Sequence, residues 1–181
     1  MNDRIHLKGG KKMRYGVATF PEKKIQDFAN SYRKRYDPHY ALIPPHITLK
    51  EPFELNEDML PQALQHLEQV AKETSAFTVR LPKISTFHPT NNVIYIAVDE
   101  TEAVKNLHEK INRKSIYHEE EYSYIPHITL AQKLSDSELH DVYGSLKMLK
   151  VEFETRIDRF HLLYQLENGS WTIYQSFLLQ E

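Results

Sequence analysis

The chain has 181 residues, 40% apolar and 27% charged, with a formal net charge of −2. This is the composition of an ordinary globular protein, and the near-balanced charge gives no global basic field for nucleic acid. Cysteine is absent, which excludes disulfides and thiolate metal sites; no apolar run reaches membrane-span length, no secretory core opens the chain, and a cytoplasmic setting fits.

Residues 1–12 carry Gly9-Gly10 and scattered basic residues with little periodicity, and a second methionine, Met13, precedes the first apolar run. They read as a leader, an extension or an alternative start, with 13–181 as one bilobal domain. Residues 15–20 predict a strand closed by Pro21. Ile25, Phe28, Ala29, Tyr32 and Tyr36 then fall at helical spacing, and Asp37-Pro38 ends that helix. After Pro44-Pro45 comes a strand. Asn56 is placed to cap a second helix with Leu60, Leu64, Leu67 and Ala71 on one face. Residues 77–87 predict a strand bent or interrupted at Pro82, 89–92 a turn, and 93–98 a strand. The order then begins again. A helix is expected over 102–115, burying Val104, Leu107, His108 and Ile111. Another strand follows, then a helix opened by a Ser135/Glu138 capping box. Residues 151–166 predict one long strand or a pair, Asn168-Gly169 a two-residue hairpin turn, and 171–179 the closing strand.

The repetition is literal at one place. Pro45-His46-Ile47-Thr48-Leu49 returns as Pro126-His127-Ile128-Thr129-Leu130, an offset of 127 − 46 = 81. Side chains alternate along a strand, so His46 and Thr48 share one face while Ile47 and Leu49 anchor the other. His127 and Thr129 repeat that arrangement. Tyr36 and Tyr117 keep the same offset, and Ile84-x-x-Phe87-His88 matches Ile157-x-x-Phe160-His161 at 73. The expected fold is therefore α+β. Two pseudo-symmetric lobes, from about 13–92 and 93–181, each repeat strand, helix, strand, helix, strand. Antiparallel-rich sheets face a central cleft, with the two motif strands opposed across it.

Two histidines on opposite sides of one ligand suit a displacement that needs a base and an acid. Phosphoester cleavage is such a reaction: one imidazole takes a proton from the attacking oxygen and the other gives one to the leaving oxygen. The hydroxyls of Thr48 and Thr129 are placed to donate to the non-bridging oxygens. The near symmetry of the pair leaves the acid and the base unassigned.

His46-Ile47-Thr48-Leu49 and His127-Ile128-Thr129-Leu130 resemble the paired His-x-Thr-x motifs of the two-histidine (2H) phosphoesterase superfamily, which includes the RNA ligase-like cyclic phosphodiesterases. The stretches 31–38, 91–96 and 158–171 are similar to its bacterial YjcG branch, and the likeness covers about 13–179. It implies the bilobal fold and a hydrolase that uses no metal or other cofactor. It also implies that His46 is the proton donor, His127 the proton acceptor, and Leu49 and Leu130 packing residues. The implied substrate is a small-molecule or RNA-end phosphoester such as a 2′,3′-cyclic phosphate, with no membrane and no extended nucleic-acid surface.

Other residues weigh less. His88 and His161 are expected as strand-end surface histidines, with a role as phosphate donors in the cleft the sharper alternative. Phe87 and Phe160 are expected to pack in the core rather than stack on a base. Arg33-Lys34-Arg35 and Lys110, Arg113 and Lys114 are expected on solvated helix faces, and 118–121 in an exposed acidic loop. A zinc site on His46 and His127 would need one or two more converging ligands, which no local spacing provides. A nucleotide- or RNA-end-binding module without turnover is the alternative from another class.

Overall fold

The computed structural model describes residues 10–181; the leader expected over 1–12 lies largely outside them. The order along the chain is β1 (Lys12–Thr19), α1 (Lys23–Tyr36), β2 (Ile47–Asn56), α2 (Leu60–Lys72), β3 (Phe77–Leu81), β4 (Ile84–Thr86), β5 (Ile94–Ala97), α3 (Glu102–Ile111), β6 (His127–Ala131), α4 (Asp136–Leu146), β7 (Phe153–Ile157), β8 (Arg159–Gln165) and β9 (Trp171–Leu178). The expected α+β class holds, and the sheets are antiparallel throughout.

Three local readings change. Asn56 ends β2 and its side chain caps nothing; a 3₁₀ turn, Glu57–Met59, intervenes and Pro61 opens α2. The third helix stops at Ile111, and Lys114–Ile116 forms a separate 3₁₀ turn. The final hairpin is closed by a turn in which Gly169 N–H donates to Leu166 O and Leu166 N–H to Ser170 O, with Gly169 at φ 87°. That is a three-residue loop with glycine at the left-handed bulge position, not a two-residue turn. The Ser135/Glu138 capping box forms as expected.

The sheets are not built half by half. One is β2-β1-β8-β9 and a second is β4-β5-β6, while β3 and β7 pair with each other. Each half therefore sends its final strands to the sheet of the other, so 13–92 and 93–181 interleave. The β3–β7 ladder is centred on Val79 opposite Thr155, with Phe77 opposite Ile157 and Leu81 opposite Phe153. A twofold through that ladder exchanges Phe77 with Phe153 and Leu81 with Ile157, an offset of 153 − 77 = 76. The same offset carries Ser85, which pairs with Tyr95, onto His161, which pairs with Ala18. The repeat at 73 is thus displaced by three residues from the structural one. Ile157 ends β7 while Ile84 opens β4.

Apolar faces of both large sheets meet the helices in one continuous core. Val17, Ile47, Leu49, Phe160, Leu162 and Phe177 come from the first sheet; Ile84, Ile94, Ile96, Ile128 and Leu130 come from the second. The two motif strands, β2 and β6, are edge strands of their sheets, and these edges approach within 8 Å between Cα atoms.

Candidate active site

Both motifs sit at the same place in their sheets. Ile47, Leu49, Ile128 and Leu130 are fully buried, whereas His46, Thr48, His127 and Thr129 are half-buried on the opposite faces. The alternation expected from the sequence is realised in both copies. The ring of each histidine is fixed in the same way. His46 Nδ1 donates to the carbonyl of Pro44 at 2.8 Å, and His127 Nδ1 donates to that of Ile125 at 2.7 Å. A carbonyl can only accept, so each Nδ1 carries a hydrogen and each Nε2 is the nitrogen left to exchange a proton.

The electrostatics are not symmetric. His46 is lowered to about 4, chiefly by burial, with the charges of Arg33 and His127 adding and the bond to Pro44 opposing. His127 is also lowered by burial, opposed by its bond to Ile125. Its ring meets Phe87 and Tyr95 edge-on, with centroids 5.0 and 5.3 Å away. Phe87 is therefore a wall of the His127 site rather than core, while Phe160 is core as expected.

Each motif is followed by a bulge. Ala18 pairs with Thr48 but Val17 with Lys50; Tyr95 pairs with Thr129 but Ile94 with Ala131. One extra residue on the motif strand turns the next side chain to the other face. Strand alternation would aim Lys50 into the cleft beside Thr48. The bulge instead puts it opposite Val17, 1% exposed, with its ammonium on Asn112 Oδ1 and His118 Nδ1. Burial lowers Lys50 to about 8.

The loop expected to be exposed at 118–121 is partly engaged here. His118 meets Lys50, Glu120 lies 3.0 Å from His108 Nε2, and His108 Nδ1 donates to Leu49 O. Tyr124 stacks on the His108 ring at 3.7 Å and donates to Thr48 O. Residues of the second half thus hold three consecutive residues of the first motif strand. The reverse brace also exists. Gln132, next after β6, donates from its backbone to Tyr36 O and from its side chain to Asp37 Oδ1. Asp37 pairs with Arg33 at 3.1 Å, and Arg33 donates to Ile43 O in the loop leading to His46. Arg33 is 2% exposed, so it belongs to this brace and not to a solvated basic face.

Of the remaining candidates, His88 is half-buried beside Asn92 and the ring of His140. His161 is buried, not a surface residue. It is bonded to Ser176 and occupies the same cross-strand row as Ala18 and Thr48. Among the described residues no three His, Asp or Glu side chains are grouped to hold a metal.

Residues 21–169 match the family model of the 2′-5′ RNA ligase superfamily. The chain belongs to this superfamily, the 2H phosphoesterases. It is 53% identical over 167 residues to a provisionally named phosphoesterase of Geobacillus sp. strain WCH70, spanning 92% of this chain and 96% of that one. It is 54% identical over 167 residues to another from Bacillus licheniformis, spanning 92% and 99%. The superfamily fold is also that of Escherichia coli LigT, which superposes with a TM-score of 0.71 at 16% identity over 95% of this chain and all of LigT. A protein of Thermus thermophilus superposes at 0.66 and 21% identity, over 93% of this chain and 98% of that one.

Proposed function

We propose that this 2H superfamily member hydrolyses a phosphodiester, with a 2′,3′-cyclic phosphate of a nucleotide or RNA end as substrate class, by metal-independent acid–base catalysis. The observation that carries the reading is the doubled geometry: two imidazoles, each with Nδ1 committed to a carbonyl two residues back, on adjoining strand edges with a threonine hydroxyl beside each. In the step envisaged, His127 Nε2 takes a proton from water as its oxygen bonds to phosphorus. His46 Nε2 gives a proton to the departing ribose oxygen as the P–O bond breaks. Thr48 and Thr129 donate to the non-bridging oxygens, where charge accumulates. Structures of LigT hold 3′-AMP, ATP, NADP+ and phosphate, which supports a nucleotide-sized ligand. A cytoplasmic setting belongs to this reading.

The test is multiple turnover on a panel of 2′,3′-cyclic nucleotides and cyclic-phosphate-ended oligonucleotides. His46→Ala and His127→Ala should each lower kcat by about 10² to 10⁴, the usual worth of a positioned acid or base. Saturable binding of the panel with no turnover would convert the protein into a binding module. Full turnover by either variant would move the chemistry elsewhere.

A further inference from the structure

Two residues before His46, Pro44 borders a cavity of about 390 Å³ that Phe20, Leu163, Trp171 and Ile173 also line. Pro44 is the residue whose carbonyl holds the His46 ring, so cavity and candidate site share a wall. The floor is the same sheet face that presents Thr48. The extra residues of the β1–β2 register shifts lie on β2, so β1 alternates without interruption. Gly16 and Ala18 therefore point the same way. Over Gly16 lies the indole of Trp171: a Cβ added there would meet its ring at 3.6 Å. Glycine at this position lets the indole approach the strand directly, with no side chain between them.

We infer that Trp171 is the platform on which the base of a nucleotide substrate stacks while its phosphate is held between His46 and His127. This rests on the proposed phosphodiesterase reading and deepens it. Gly16 is two residues along β1 from Ala18, which pairs with Thr48. At about 3.4 Å per residue and 4.8 Å between strands, the platform lies roughly 8 Å from the threonine. A ribose spans that order of distance between a 2′- or 3′-phosphate and its base. Leu163, Ile173 and Phe20 make the cavity lining around Trp171 largely apolar, with Gln26 and Thr172 adding polar groups. That suits a heterocycle, which buries its faces and hydrogen-bonds at its edges. A second phosphate is a poorer occupant of this end of the cleft. The adjoining cavity, which shares Phe20 and Gln26, does contain Arg156 and Arg159. Both are already paired, with Glu181 at 3.3 Å and Asp158 at 2.9 Å.

Trp171 is the single tryptophan of the chain, so its fluorescence reports this position alone. Adenosine 3′-monophosphate should quench it saturably, and inorganic phosphate should not. In kinetics, wild type should prefer adenosine 2′,3′-cyclic phosphate over the 2′,3′-cyclic phosphate of methyl riboside, which lacks a base. Trp171→Ala should erase about tenfold of that preference, through KM, while leaving the base-free compound unaffected. Trp171→Phe should keep most of the preference, which separates stacking from damage to the fold. Saturable binding of the nucleotide without a fluorescence change, or an unaltered preference in Trp171→Ala, would overturn the assignment. If wild type turns over neither compound, the catalytic reading fails, and the fluorescence titration still decides the platform.

Discussion

The protonation of His46 is the property on which a mechanism of this kind turns. A general base must be neutral, so activity falls as pH drops through its pKa; a general acid must be protonated, so activity falls as pH rises through its own. With His46 held near 4 and His127 also lowered, both rings are neutral in the free protein at neutral pH. The bell in kcat/KM, which reports the free enzyme, should therefore have both limbs on the acid side of neutrality. A bound phosphate anion favours imidazolium, so the limbs in kcat should move to higher pH. The two apparent values belong to the coupled pair and not to either ring. A pH series on wild type at saturating and sub-saturating substrate checks both displacements; identical profiles centred above pH 7 would contradict them. In the proposed step the threonines act on charge and not on proton inventory. Thr48→Val and Thr129→Val should lower kcat by less than the histidine variants, leaving the pH limbs in place.

The elements that carry the histidines are held by each other's halves, and that is where stability and function meet. Asp37 joins Arg33 of α1 to Gln132 beyond β6. Asp37→Ala strands a buried guanidinium, which typically costs about 3 to 5 kcal/mol, and chemical denaturation should show a loss of that size. A loss near zero would mean the pair is not the brace described. The sequence displayed the motifs plainly, because strand alternation is a local rule and both copies obey it. It displayed the helices well, through spacing and the Ser135 cap. It did not display Lys50 turning inward, because that depends on a bulge opposite Val17 and on Asn112 and His118, which are distant in the chain. Arg33 lies hidden in a basic run: Asn30 and Asp37 are local partners about one helical turn away, but the carbonyl of Ile43 reaches its guanidinium only through the path of the following loop. His161 could have been placed by a match at 76, but the pairing at 73 shares more conspicuous letters.

At the scale of the whole molecule the two large sheets bring the two motif edges together, and the proposed independence from metal can be tested directly. Chelator treatment of the purified protein should leave turnover of a cyclic phosphate unchanged. Loss of activity on chelation and its return with added zinc would point to metal-bound water as the nucleophile. The exchange of final strands between the halves reaches beyond catalysis, into how the chain is made. The first sheet acquires its third and fourth strands only from 159–178, and β3 waits for β7. A nascent chain that has emerged only to residue 92 has β1 with one neighbour where it needs two, and β4 with none. Its core cannot close until nearly the whole chain is synthesised, and contacts so distant in sequence fold slowly. Cut between residues 92 and 93, the protein should give two fragments that are each unfolded alone and regain structure on mixing. The two halves run through a similar order of elements, yet each of the two large sheets needs strands from both.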